Sequence, residues 1–178
     1  CEKARYTEHR IRGLDGFCAE RVRLQPESLV RLEPSLETVG VLLEPASVVA
    51  KAWEHIDRIS ARSTWRPARV LITGAGPIGL LAALLAAQRG CEVHVIDLVT
   101  SGPKPPLVRD VGAAYHTGSL KEACPDADVT LECTGDGQLV IDAMSNAGRN
   151  GIVCLTGVSS GGRAVAVGGT PLHRRVVL

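Results

Sequence analysis

Aromatic side chains are scarce, with two Trp, two Tyr and one Phe in 178 residues, so the core has to rest on Val, Leu, Ile and Ala. An excess of either charge is missing too. Lys and Arg number 20 and Asp and Glu 19, a net charge of +1, which leaves no electrostatic footprint for nucleic acid and no charged tail. The longest apolar stretch, Pro77 to Ala87, is too short to span a bilayer. No charged-then-apolar leader opens the sequence, so no membrane or secretory role is expected. Cysteines stand at 1, 18, 91, 124, 133 and 154, and no two of them form a C-x-x-C pair. Thiols scattered beside α/β elements behave as small apolar residues, which predicts a cytoplasmic protein. The chain opens on Cys1 and stops at Leu178 inside an apolar run, and we expect a piece of a longer parent.

What is present centres on Arg69 to Asp97, RVLITGAGPIGLLAALLAAQRGCEVHVID. Val70, Leu71 and Ile72 suit a strand buried on both faces of a parallel sheet. Gly74, Gly76 and Gly79 follow in G-x-G-x-x-G spacing. Gly74 allows the tight turn, Gly76 lets a pyrophosphate approach bare backbone, and Gly79 lets the next helix pack closely on the sheet. Pro77 occupies the first helical turn, where its missing N–H costs little, and the free N–H groups around Ile78 with the positive helix end favour a phosphate. The helix is expected to stop at Gly90. A second strand through Val93 to Ile96 then ends in Asp97, 18 residues past Gly79. That is near the roughly 20-residue offset of the acid that holds an adenosine ribose. A dinucleotide is the expected ligand, NAD before NADP, because a carboxylate at 97 repels a 2′-phosphate. Lys104 is the nearest cation.

The remaining chain fits one α/β core with an appendage. The segments around AERVRL and LVRLEP read as short strands, and Ser35 with Glu37 reads as the start of a helix. Pro45 opens a helix PASVVAKAWEHIDRIS with Val48, Val49, Ala52, Trp53 and Ile56 on one face, Trp53 being core. Beyond Asp97 we expect a helix from Pro105 to Val111, strands at AAYH and VTLEC, a helix QLVIDAMSNA capped by Gly148, and a strand GIVCLTGV. AVAV and PLHRRVVL read as a further strand and a helix start. Strand–helix alternation predicts a Rossmann-type doubly wound parallel sheet. Its carboxyl ends, where ligands bind, are Gly74, Asp97, Thr134–Gly135 and Thr156–Gly157–Val158, the last two groups expected to face a nicotinamide half. The five His fall at no ligand spacing. A tight turn in another enzyme on the same sheet, such as a methyltransferase, is the alternative reading.

From Cys1 through LLEPASVVAKAW, then through the glycine-rich unit and SGPKP, the sequence resembles a zinc-dependent medium-chain dehydrogenase, with the glucose 1-dehydrogenases the nearest group. The YTE…I-x-G-L-x-G-F segment carries much of the likeness. The resemblance implies that residues 1–44 end a β-rich, GroES-like catalytic domain and that residues 45–178 form the NAD(P)-binding domain without its last strand. It implies oxidation of a sugar or alcohol, glucose to gluconolactone above all, with NAD(P) and zinc, in a homo-oligomeric dimer or tetramer. Glu44 would touch the catalytic zinc of the intact parent, and Cys1 would belong to its structural zinc lobe. Zinc needs three or four donors, so this chain alone is expected to bind coenzyme without turnover and to associate through an uncovered edge near Ile152–Leu155. A zinc-free quinone reductase and a non-catalytic nucleotide-binding module are the other readings of the same sheet.

Overall fold

A computed structural model describes residues 6–10, 12–157 and 164. The chain divides into two compact units, Cys1–Gly40 and Val41–Leu178. In the first, β1 (Glu8–His9) and β2 (Gly13–Leu14) are tied by bonds between Glu8 and Arg12 in both directions. The strands expected at 19–24 and 29–34 do not form, because no strand among the described residues pairs with them and Val22 and Val30 stay exposed. The helix expected from Ser35 is also absent. Pro34–Leu36 is a 3-10 turn capped by Glu33 without a side-chain bond, and a second such turn spans Gly40–Leu42.

The second unit opens with α1 (Leu43–Ser60), two residues ahead of Pro45, so Glu44 lies inside its first turn. Val49, Ala52, Trp53 and Ile56 are its buried stripe, while Val48, expected on that stripe, is 37 % exposed. There follow β3 (Arg69–Thr73), α2 (Pro77–Gln88), β4 (Glu92–Ile96), α3 (Lys104–Asp110) and β5 (Ala114–His116). Then come α4 (Leu120–Ala123), β6 (Ala127–Glu132), α5 (Gly137–Asn146) and β7 (Ala147–Leu155). The sheet is parallel throughout in the order β5-β4-β3-β6-β7. This is the predicted doubly wound α/β architecture, and its order reverses between β3 and β6, where a ligand crevice forms.

Alternation along β3 sorts the helices into layers. Val70 and Ile72 join the core shared with α1, α2 and α3, and Leu71 joins the core shared with α4 and α5. Each fully buried Val, Leu or Ile contributes about 1.5–3 kcal/mol. One expectation fails at an element end, and one element is new. Gly148 does not cap α5 but lies in β7, where a Cβ would stand 2.8 Å from the Asp126 carbonyl, so close strand packing uses that glycine. The one-turn helix α4 is extra, held by a capping box in which Ser119 and Glu122 satisfy each other's backbone. Val158, all of the AVAV run but Ala164, and the helix start at Pro171 lie outside the described residues.

Candidate functional site

The crevice is built first by the glycine turn. Gly74 has φ +87°, a left-handed conformation that side chains resist, and its N–H bonds the Ile96 carbonyl at 2.8 Å. Gly79 has no space for a side chain, since a Cβ would fall 1.8 Å from the Gly74 oxygen. Gly76 differs. It caps α2 with ordinary φ −82° and offers no side-chain bond, and a Cβ there would meet nothing within 4 Å. The first N–H groups of α2, Ile78 and Gly79 among them, have no partner inside the helix, so bare donors and empty space coincide at Gly76.

Asp97 closes one side. Its Oδ2 accepts the Ala75 N–H at 2.7 Å and the Lys104 Nζ at 2.8 Å, and its Oδ1 accepts the Val99 N–H at 3.0 Å. Burial pushes this carboxyl upward, but the Lys104 ammonium and the two N–H donors outweigh it and hold Asp97 below the usual carboxylate range. The acid is therefore ionised and shared between the turn and a lysine whose side chain is 36 % exposed. A cavity of about 370 Å³ opens between Gly74, Asp97, Leu98, Thr134, Asp136 and Leu139. A depression of equal volume beside Asp57, Ser60 and Arg66 has no glycine turn and no helix N-terminus.

The other wall is made by the ends of β6 and β7. Thr134 and Gly135, the latter at φ +76°, curl over the side chain of Glu132, which takes the Thr134 N–H at 2.7 Å and the Gly135 N–H at 3.1 Å. Thr156 and Gly157 donate their N–H groups to the Glu132 carbonyl at 2.8 and 2.9 Å. Thr134 thus lies in the same cavity as Asp97 and Gly74, while Thr156 and Gly157 lie beyond it at the end of β7. Glu132 escaped the sequence reading. Its signal was an acid inside the strand run VTLEC.

Metal ligands do not assemble. Glu44 is exposed in the first turn of α1, and no group of three His, Cys, Asp or Glu that could hold a metal exists among the described residues. Cys1 and Val158 lie outside them. The described cysteines, Cys18, Cys91, Cys124, Cys133 and Cys154, are all free. Burial raises Cys133 to about 11, so that thiol stays protonated and inert. His94 bonds His116 at 2.9 Å through ring nitrogens and Glu92 at 2.9 Å through its other nitrogen, a pairing that spacing within one strand did not disclose.

Comparison with known proteins agrees with this fold. Residues 37–178 match the family described as the glucose dehydrogenase C-terminus. Over 166 residues the chain is 37 % identical to a glucose 1-dehydrogenase of Methanocella arvoryzae, covering 89 % of this chain and 46 % of that protein. A crystal structure of glucose dehydrogenase from Haloferax mediterranei superposes with a TM-score of 0.85 at 27 % identity, covering 97 % of this chain and 51 % of that one. The same enzyme in complex with NADP, Zn and gluconolactone gives a TM-score of 0.87 at 24 % identity over 97 % of this chain and 51 % of that one, which speaks for the fold. The chain spans about half the length of the curated relatives it matches.

Proposed function

Because the chain belongs to the family of glucose dehydrogenase C-terminal domains, we propose that it is the coenzyme-binding half of a medium-chain sugar dehydrogenase. The whole protein would oxidise a sugar, glucose to gluconolactone, and the bound nicotinamide dinucleotide supplies the hydride acceptor. The observation that carries this reading is Gly76, where space for a ligand meets the unsatisfied N–H groups of a helix N-terminus. Those donors hold a pyrophosphate. Asp97 accepts a ribose hydroxyl, and exposed Leu98 with Leu139 flanks the adenine. Thr156 and Gly157 would face the nicotinamide half.

Asp97 favours NAD, and Lys104 at 2.8 Å offsets its charge enough for NADP to enter. Zinc does not fit the described residues, since Glu44 stands without companion donors, so no step here runs through a metal. Residues 1–44 would complete a catalytic domain in the parent and 45–178 the coenzyme domain. A dimer or tetramer in the cytoplasm is the assembly we propose for the parent. No helix among the described residues is long and apolar enough to cross a membrane.

Titrating the purified chain with NAD and with NADP by calorimetry tests the reading. The wild type should bind without turning over glucose. Gly76→Ala should melt within about 1 °C of the wild type, since its Cβ meets no protein atom, yet bind at least about tenfold more weakly because that Cβ fills the pyrophosphate's place. Equal binding by wild type and Gly76→Ala would sink the proposal.

A further inference from the structure

We infer that Glu132 is a positioning residue for the coenzyme, its buried carboxylate fixing the Thr134–Gly135 turn and through it the wall of the crevice; this rests on the coenzyme reading above. Glu132 is 0 % exposed, so it touches no ligand itself. It ends β6 on the face shared with Thr73, its direct cross-strand partner. Oε1 accepts the Thr73 hydroxyl at 3.2 Å, the Thr134 N–H at 2.7 Å, the Thr134 hydroxyl, and the Gly135 N–H at 3.1 Å, while Oε2 shares that Gly135 N–H at 3.1 Å. Among the described residues no Lys, Arg or His forms an ion pair with it.

A buried charge satisfied only by neutral donors is a costly way to fill a core, and an apolar residue of similar volume usually serves stability as well. What the acid supplies is direction. Two successive backbone N–H groups turn inward toward one carboxylate, which bends the chain through the positive φ of Gly135. That bend brings the Thr134 methyl to Gly74, where an added Cβ would lie 2.9 Å from it. The same bend fixes the end of β7, because Gly157 packs so tightly that a Cβ there would lie 2.2 Å from the Gly135 nitrogen and 2.8 Å from Glu132 Oε2. One carboxylate thereby joins the ends of β3, β6 and β7, the strand ends that border the dinucleotide.

The test uses the full chain, with NAD and NADP as separate probes, at a temperature well below every variant's melting point. Glu132→Gln keeps the shape, but with its oxygen at the Oε1 place its NH2 meets the Gly135 N–H donor against donor, and with the amide reversed the Thr134 N–H loses its acceptor. Each dinucleotide should then bind about tenfold more weakly, or worse. Thr73→Val removes one donor to the same oxygen from a residue that is 0 % exposed; it should weaken binding in the same direction by less. Should Glu132→Gln not fold, Thr73→Val alone decides. Val129→Ala, on the same strand but in the apolar core, should lower the melting temperature and leave both affinities unchanged. Wild-type affinity in Glu132→Gln or, if that variant does not fold, in Thr73→Val overturns the inference alone, as does an affinity loss in Val129→Ala as large as in Glu132→Gln. A wild-type chain that binds neither dinucleotide overturns the coenzyme reading and this inference with it.

Discussion

On the proposed coenzyme reading, Lys104 is the residue on which the choice between NAD and NADP turns. Its ammonium bonds Asp97 at 2.8 Å while the lysine side chain remains 36 % exposed, so one face of the cation is free to meet a phosphate on the neighbouring ribose. Lys104→Gln leaves Asp97 with its two N–H donors but without the positive partner. NADP affinity should fall about tenfold more than NAD affinity, the worth of one charge-assisted contact, as read by parallel calorimetric titrations. Equal losses for the two coenzymes would show that Lys104 only braces the loop. The positive φ of Gly74 and the tight packing of Gly79 were legible in the sequence because each follows from spacing within one turn. The bonding of Glu132 was not, because Thr73 is 59 residues away and its nearer donors, Thr134 and Gly135, reach it only through a turn at Gly135 that spacing does not show.

Among the elements, the outer pair β4 and β5 carries a pH response. His94 and His116 share a hydrogen bond across the strands, and the other nitrogen of His94 bonds Glu92. Burial, with His94 beside it, lowers His116 from its ordinary 6.5. The unfolded chain therefore takes up that proton before the folded one does. Folding is undisturbed above about pH 6.5 and loses stability as the pH falls below it, until the folded-state value is passed. Asp97 is depressed and acts in the same direction, but only below its ordinary 3.8, so the two windows separate. Denaturant unfolding between pH 8 and pH 5 should show stability falling below about pH 6.5, and His116→Gln should flatten that slope. An unchanged slope in the variant would assign the effect elsewhere. At this scale α1 and α2 were readable within two residues, α1 from its one-sided apolar stripe and α2 from Pro77 at its start and Gly90 past its end. Short elements were not: α4 rests on one S-x-x-E capping box, and the strands expected before residue 35 had alternation but no partner backbone, which is what a strand needs.

At the scale of the molecule the two units differ in how far they pay for their own order. No described residue before Val41 is buried, and Leu14, Phe17, Val22, Leu29 and Val30 are each at least 43 % exposed. Among the described residues, the second unit holds every member of the apolar core. Segments with little burial open locally at low cost, whereas core strands open only with global unfolding. Limited trypsin digestion should therefore cut after Arg12, Arg21, Arg23 or Arg31 well before Arg69, which starts a strand held by Asp128 through the Ala68 and Arg69 N–H groups at 2.9 Å. Mass spectrometry should find an early fragment beginning in the twenties or thirties. That fragment should still bind dinucleotide, since Gly74, Gly76, Asp97 and Glu132 all lie in the second unit. Cleavage at Arg69 or Arg109 as fast as at Arg23 would mean that the sheet does not hold without the rest of a parent chain. Loss of binding on removal of the first unit alone would mean that the coenzyme crevice needs residues before Val41.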